Sequence, residues 1–375
     1  MVFGLLAVFA WWQWPHIEKL PGIKQLVSWM QKPNASSSQA DAWLAQAEKA
    51  RLESQNDAAR AAYGKAQALY HEVGDRFGQA NVQQGLGELE RMFGNNDAAR
   101  TAYAKAQALY HEEGHRFGQA NVQLGLGELE RKLGNNDAAR AAFGKALTLY
   151  HEVGNRLGQA NVQNSLGGLE RMLGNNDAAR AAYGKALTLY HEEGSRLGQA
   201  NVQIGLGELE RMLGNNEAAR TAYAKALTLF HEVGDWLWQA NVQQGLGDLE
   251  RMLGNNDVAR TAYAKALTLF HEVGDRLGQA NVQLGLGDLE SKLGNNEAAR
   301  AAYAKAQALF HEEGHRLGQA NVQLGLGELE RMLGNNEAAR AAFAKAQALF
   351  HEVGDRQGQA DVQQALSELE RKLGR

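Results

Sequence analysis

The sequence predicts an all-α protein, a solenoid of stacked antiparallel helix pairs. A pattern of 40 residues recurs without insertion from about residue 56 to the end of the 375-residue chain. Each unit carries two apolar stripes with α-helical spacing. All three prolines lie within the first 33 residues, which leaves the rest free for uninterrupted helices. One helix pair cannot bury both stripes alone, so the copies are expected to stack.

The copies are nearly identical. Residues 95–134 and 175–214 match at 32 of 40 positions. A fixed period of this length indicates a solenoid or a closed propeller. We predict eight helix pairs, with pairs beginning near residues 40, 80, 120, 160, 200, 240, 280 and 320. A final unpaired helix over 355–374 makes seventeen helices within residues 37–375.

Each unit divides into two helices of about 17 residues, roughly 25 Å long. In the first, Val82, Leu86 and Leu89 form the apolar stripe, and Asp75 is a good N-cap. In the second, a wider stripe is formed by Ala99, Ala102, Tyr103, Ala106, Leu109 and Tyr110. The short connections around Gly94 and Gly114 predict antiparallel packing of the two helices.

The spacing of these residues resembles the tetratricopeptide repeat (TPR) signature. Its positions are matched by Leu86, Gly87, Gly94, Ala99, Tyr103 and Ala106. The 40-residue period is similar to the longer variant found in kinesin light chains, Pins/LGN adaptors and bacterial TPR proteins. The resemblance covers residues 37–375 and implies a right-handed TPR superhelix. Two departures are Glu90, where the signature has a bulky aromatic residue, and His111, where it has a proline.

The last helix departs from the other copies as a capping helix should. Gln357 replaces phenylalanine or leucine, and Ala365 and Ser367 replace two glycines. Polar residues and better helix formers are expected on a helix with one face in water.

Residues 1–36 form a separate hydrophobic segment with linker. The apolar run Val2–Trp14 spans roughly 20 Å as a helix, short of a bilayer core of roughly 30 Å. It is interpreted as a membrane anchor, as a signal peptide cut after Ala10, or as an apolar cap on the first repeat. The first of these interpretations predicts membrane association through residues 1–30. If the run spans a membrane, lysines follow it and no basic residue precedes it, which favours cytoplasmic repeats. Export or secretion is the alternative.

No catalytic site, metal site or cofactor is predicted. The net charge of −4 does not indicate nucleic-acid binding, and the chain has no cysteine. One histidine recurs per repeat at His71, His111, His151, His191, His231, His271, His311 and His351. Copies on neighbouring repeats stand roughly 10 Å apart, too far to share a zinc ion. The G-x-G at Gly85 and Gly87 lies inside a helix, so we interpret it as packing near Ala99.

The TPR resemblance assigns the partner-binding groove to the first helix of each pair. The predicted groove residues are Asn81, Gln84, Glu88, Arg91, Asn121, Leu124, Asn161, Asn164, Asn201, Ile204, Asn241, Gln244, Asn281, Leu284, Asn321 and Leu324. The asparagine column is uniform, which suits hydrogen bonds to a ligand backbone. The neighbouring column varies, through specificity or through drift at a solvent-facing position. Glu88 and Arg91 lie three residues apart, which predicts a self-paired face.

One repeat carries two extra tryptophans, Trp236 and Trp238, where the next copy has arginine and glycine. They are predicted either to pack on the preceding helix or to form a joint patch that anchors a partner. The chain as a whole is predicted to be a non-catalytic scaffold that binds a protein or peptide. A self-assembling repeat rod and, by analogy, a G-protein-signalling adaptor are the alternatives.

Overall fold

The computed structural model describes residues 35–53 and 55–372, which form seventeen α-helices and no strand. In chain order they are α1 (Ala35–Leu52), α2 (Asn56–Glu72), α3 (Arg76–Met92), α4 (Asn96–Glu112), α5 (Arg116–Lys132), α6 (Asn136–Glu152), α7 (Arg156–Met172), α8 (Asn176–Glu192), α9 (Arg196–Met212), α10 (Asn216–Val233), α11 (Trp236–Met252), α12 (Asn256–Glu272), α13 (Arg276–Lys292), α14 (Asn296–Glu312), α15 (Arg316–Met332), α16 (Asn336–Glu352) and α17 (Arg356–Lys372).

The predicted all-α solenoid of eight helix pairs and a final helix is confirmed. The interpretations of residues 1–34 lie outside the described residues. Among the helices of residues 35–53 and 55–372, none is both long enough and apolar enough to cross a membrane.

Within the two parts of the chain described, the helices pack as antiparallel pairs, α1 with α2, α3 with α4 and α5 with α6, and further along α9 with α10, α11 with α12, α13 with α14 and α15 with α16. The chain divides into two compact units, one ending at Leu169 and the other beginning at Glu170 within α7. In the first unit, α3 also contacts α1 and α5. In the second, α13 contacts α11 and α15, and α15 contacts α17. Odd-numbered helices therefore lie side by side within each unit.

An aromatic ring on each even helix sets the spacing to its neighbours. Tyr103 of α4 is fully buried. A Cβ at Gly87 of α3 would stand 2.6 Å from Tyr103 Cδ1, and one at Gly125 of α5 would stand 2.8 Å from its Cζ. Carbon atoms normally approach to roughly 3.5 Å, so neither position accepts a side chain. The sequence placed Ala99 opposite Gly87, and Ala99 is buried, but the ring of Tyr103 takes this gap.

The residue opposite each ring follows the chemistry of the ring. Where the even helix carries tyrosine, as at Tyr103, the next odd helix has glycine, as at Gly125. Where it carries phenylalanine, the facing residue has a side chain, in the pairs Phe143/Ser165 and Phe343/Ala365. Loss of the hydroxyl leaves room for a Cβ. Ala365 is only 5% exposed and packs in the core cluster of Phe343, so its alanine reflects this packing and not the exposed cap inferred from the sequence.

Ion pairs join six of the even helices to the next odd helix. Arg60 of α2 donates from Nε and Nη2 to the two carboxylate oxygens of Glu90 on α3, at 2.7 and 2.8 Å. Glu90 also accepts from Asn95 Nδ2 at 2.6 Å. The same pairs form at Arg100–Glu130, Arg180–Glu210, Arg220–Glu250, Arg260–Glu290 and Arg300–Glu330. This Arg–Glu ladder occupies the place of the bulky aromatic residue in the TPR signature.

The ladder makes stability depend on pH. Hydrogen bonds from Arg100 lower the pKa of Glu130, so the folded protein binds this proton less readily than the unfolded chain. The contribution is complete above the unfolded glutamate pKa of about 4.3 and is lost as pH falls through the lower folded pKa. We expect Glu130→Gln to lower the free energy of unfolding at neutral pH by about 1 kcal/mol, since Arg100 is 41% exposed and water screens the pair.

Urea unfolding at neutral pH and at about pH 3, below the unfolded glutamate pKa of about 4.3, measures this difference. It should be smaller at the acidic pH. Glu113→Gln is the control, because this carboxylate has no ion-pair partner in the described part of the chain and is exposed. An equal loss at both pH values would contradict the electrostatic explanation.

The distance between a glycine and the tyrosine ring that faces it differs between two repeats. We therefore expect the same glycine-to-alanine substitution to have opposite effects on stability in these two repeats. At Gly285 a Cβ would lie 2.9 Å from the hydroxyl oxygen of Tyr263, whereas at Gly245 the nearest atom of Tyr223 is 3.7 Å away. Gly285→Ala should destabilise by about 1–2 kcal/mol through overpacking. Gly245→Ala should be neutral or stabilise by up to about 1 kcal/mol through helix propensity. Urea unfolding of the two variants measures both.

A double variant identifies the cause. In a Tyr263→Phe background the hydroxyl is gone, so Gly285→Ala should destabilise less than it does alone, as the natural pair Phe343/Ala365 indicates. Equal destabilisation in both backgrounds would show that the hydroxyl does not set this gap.

Candidate functional site

The predicted groove residues lie on one face of the odd-numbered helices. We call this the odd-helix face, and it carries the columns of Asn81, Gln84, Glu88 and Arg91. All four residues are half-buried on α3. Because neighbouring odd helices contact each other within each unit, the columns continue from helix to helix there. The structure thus brings the predicted residues of each unit to a common surface.

Charges on this face are paired with each other, as the spacing predicted. Arg91 Nη2 donates to Glu88 at 2.7 Å, and Arg51 makes the same bond to Glu48 at 2.7 Å. The Tyr63 hydroxyl donates to the other oxygen of Glu48 at 2.6 Å. Equivalent arginine pairs form at Arg131–Glu128, Arg211–Glu208 and Arg331–Glu328. The face therefore offers no concentrated charge of either sign to a partner.

The asparagine column of the first unit is engaged with the protein core. The hydroxyl of Tyr110 lies 2.6 Å from Asn81 Oδ1, and that of Tyr150 lies 2.5 Å from Asn121 Oδ1. Burial raises the pKa of Tyr110 to about 12, so its hydroxyl stays protonated and donates. These amides are held in one orientation, with their NH2 groups left to donate outward.

In the second unit, the ring paired with the asparagine column is phenylalanine instead of tyrosine. From Phe230 onward the tyrosine is replaced by phenylalanine, which has no hydroxyl to donate. Asn201, Asn281 and Asn321 therefore keep their amide oxygens for other partners. Asn241 differs, because its Nδ2 donates to the backbone carbonyl of Leu237 at 2.9 Å. The uniform sequence column thus has two chemical environments.

The variable column, formed by Gln84 and its copies, lies partly in the hydrophobic core. Gln84, Leu124, Asn164, Ile204, Gln244, Leu284 and Leu324 are all half-buried. Leu124 packs on the cluster around Phe143, and Leu284 packs on the cluster around Tyr303. This column was predicted to vary through specificity or drift at a solvent-facing position. Its apolar members contact the neighbouring core, so packing also limits what can stand there.

A cavity of about 310 Å³ opens on the odd-helix face of the first unit. Three successive odd helices contribute to it, together with Tyr110 of α4. Four predicted groove residues line it, Asn81, Gln84, Glu88 and Asn121, and so do Glu48 and Arg51, the copies of Glu88 and Arg91 on α1. Its remaining lining includes Leu44, Phe77, His115 and Phe117. We call this the first-unit cavity.

The aromatic lining of the cavity was not predicted. Phe77 and Phe117 are each 41% exposed, and His115 lies between them. The ring centroids of Phe77 and His115 are 4.7 Å apart, and those of His115 and Phe117 are 6.3 Å apart. The sequence does contain a signal, because only these two copies carry phenylalanine where the next five carry leucine.

Histidines occupy two different places. The eight recurring histidines are exposed near the ends of even helices, as predicted. His115 and His315 each precede an odd helix and cap it. Their Nδ1 atoms accept from the backbone N–H of Gly118 and Gly318 at 3.0 Å. No group of three or more metal-ligating side chains comes together within the described residues.

The two tryptophans occupy a joint of the second unit, the connection between α10 and α11. Trp238 stacks on Phe230 with ring centroids 5.9 Å apart and an interplanar angle of 12°. In the other copies this position is glycine, and the preceding aromatic ring fills the space of its missing side chain. A side chain here holds α11 away from α10, which explains the wider gap at Gly245. Trp238 remains 41% exposed and Trp236 is 52% exposed.

Stacked antiparallel helix pairs with a repeated polar face define an all-α repeat protein. A sequence model described as tetratricopeptide repeat matches residues 118–192, 198–272 and 246–312, and a second with the same description matches residues 284–351. The first model alone matches more than half of the chain, which belongs to the tetratricopeptide repeat family. No curated protein sequence matches it.

Solved structures with a similar fold cover most of the chain. The apo form of RapI has a TM-score of 0.64 and 15% identity over 89% of this chain and 98% of its own. A Rap protein complexed with Competence and Sporulation Factor has a TM-score of 0.57 and 14% identity, over 90% and 99%. The apo quorum sensor NprR from B. thuringiensis has a TM-score of 0.54 and 14% identity, over 88% and 97%. At these identities the similarity concerns the fold.

Proposed function

We propose that this protein is a non-catalytic scaffold that binds a segment of a protein or peptide partner on its odd-helix face. The observation that carries the proposal is the first-unit cavity. Helices α1, α3 and α5 all line it, and predicted groove residues of α3 and α5 meet there. A repeat protein can bind a chain segment through side chains from successive repeats in this way.

The chemistry of the cavity favours an uncharged ligand segment with an apolar side chain. The carboxylates of Glu48 and Glu88 are each paired with an arginine three residues later. Phe77 and Phe117 are exposed at its rim and offer apolar contact. The NH2 groups of Asn81 and Asn121 can donate to backbone carbonyl groups of a partner.

One neighbouring structure supports a ligand-binding function for such a fold, since a Rap protein is complexed there with Competence and Sporulation Factor. The asparagines of the second unit extend the proposal. Asn201, Asn281 and Asn321 face phenylalanine rings and have both oxygen and NH2 free for a ligand backbone. Each such contact is worth about 1 kcal/mol or less, so affinity should accumulate over several repeats.

Tethering to a membrane is the second part of the proposal, and it rests on sequence alone. The run Val2–Trp14 is apolar, three tryptophans stand at its end, and all three prolines of the chain lie between it and the first helix of the array or at their boundary, at Pro15, Pro21 and Pro33. A tether of this kind would leave the odd-helix face available to partners. Residues 1–30 would then supply location, and the repeats would supply binding.

Ligands selected from a random peptide library on the full chain test the cavity. We expect the selected peptides to contain apolar side chains and to bind Phe117→Ala about tenfold more weakly, because an exposed aromatic contact is lost. Leu317→Ala is the matched control, since Leu317 has the equivalent place in the second unit and is 38% exposed. Isothermal titration measures both affinities. Equal binding to the parent and Phe117→Ala would refute this site.

The asparagine columns are tested by a separate experiment. A triple variant of Asn201, Asn281 and Asn321 to alanine should stay folded and weaken any ligand that spans the second unit by a factor of roughly ten or more. Asn81→Ala should instead lower stability, because it removes the acceptor of the Tyr110 hydroxyl. Unchanged affinity for all selected ligands in the triple variant would exclude the second-unit column.

Deletion of residues 1–33 tests the tether. We expect the shortened chain to leave the membrane fraction while its helical circular dichroism stays largely unchanged, because the helices of residues 35–372 bury their apolar residues against one another. Fractionation of the native source with detection of the full chain measures the distribution. A full-length, unprocessed chain found entirely in the soluble fraction would contradict the membrane part of the proposal.

A further inference from the structure

The joint at Trp236 lacks an ion pair that the other repeats have. At the equivalent position Arg196 Nη1 lies 2.8 Å from Glu232 Oε2, and Arg316 Nε lies 3.3 Å from Glu352 Oε1. Each pair joins the first residue of an odd helix to the end of its even partner. In α11 this first residue is Trp236, and the corresponding carboxylate is Glu272. Within the described residues Glu272 is exposed and has no basic partner.

The same substitution creates an exposed aromatic surface. Trp236 is 52% exposed and Trp238 is 41% exposed, although Trp238 has one face against Phe230. Phe230 itself is fully buried, so the stacking anchors Trp238 in the core. Two partly fixed indole rings at the start of α11 and one uncompensated carboxylate at the end of α12 thus belong to the same helix pair.

We propose that this joint binds a basic segment of a partner by placing an arginine or lysine side chain against Trp236 and Glu272. Tryptophan presents the most favourable ring face for a cation, and a guanidinium group can stack on it. The partner's cation takes the place that an arginine of this chain holds in the neighbouring repeats. The charge complementarity comes from Glu272, whose own arginine is absent. This site is separate from the odd-helix face.

The test uses an oligoarginine peptide and an oligocitrulline peptide of equal length, titrated calorimetrically into the full chain at low salt. Citrulline keeps the planar side chain and removes its charge, so the oligoarginine peptide should bind and the oligocitrulline peptide should not. Trp236→Leu should weaken oligoarginine binding roughly fivefold. Glu272→Gln should weaken it roughly threefold. Both residues are exposed, so both variants should keep the parent's thermal unfolding.

Two matched variants locate the effect. Glu312→Gln changes the equivalent carboxylate where Arg276 already pairs with it, and should leave oligoarginine binding unchanged. Phe117→Ala alters the first-unit cavity and should also leave oligoarginine binding unchanged. Failure of this proposal can therefore be distinguished from failure of the cavity proposal. The double reversion Trp236→Arg with Trp238→Gly should abolish binding.

Three results would overturn the proposal. One is equal binding of the two peptides, and another is an equal effect of Glu272→Gln and Glu312→Gln. The third is light scattering that shows self-association of the parent and none of Trp236→Leu, because the patch would then join two copies of this chain.

Discussion

The spacing of the helices depends on one contact, an aromatic ring from each even helix that enters a gap left by glycines. Tyr103 is fully buried between Gly87 and Gly125, and the burial of such a ring contributes roughly 2–3 kcal/mol. Each glycine inside a helix costs about 1 kcal/mol relative to alanine, and the buried ring offsets this cost. Gly125 accepts the end of a tyrosine, whereas Ser165 and Ala365 face phenylalanine. The size of the residue that faces the ring therefore follows the size of the ring.

These rings also organise the surface. The Tyr63 hydroxyl donates to Glu48, and the Tyr110 hydroxyl donates to Asn81. Polar residues of the odd-helix face are thus oriented by donors that come from the core. Arginines neutralise the carboxylates of the same face, so its polarity carries little net charge. A surface whose side chains are already ordered loses less conformational entropy when a partner binds.

At the joint before α11, two tryptophans change both the packing of the aromatic ring and the pairing of surface charges. Trp238 fills a glycine gap and separates α11 from α10, as the 3.7 Å clearance at Gly245 records. Trp236 replaces an arginine and leaves Glu272 without its cross-helix partner. Two substitutions that are two positions apart therefore alter the packing and the surface charge together. A departure from a repeated pattern is informative because every other copy is its control.

The sequence alone determined the helices, their pairing and their number, because caps, turn glycines and apolar spacing act within one 40-residue unit. It also determined the self-paired charges of Glu88 and Arg91, which are three residues apart on one helix. Only the tertiary structure decided which asparagines accept a hydrogen bond from a tyrosine hydroxyl, since Tyr110 and Asn81 are 29 residues apart on different helices. It likewise brought Phe77, His115 and Phe117 around one cavity and placed Tyr103 in the gap assigned to Ala99. Contacts of this kind depend on the distance between packed helices, which the rings and glycines set only once the chain has folded.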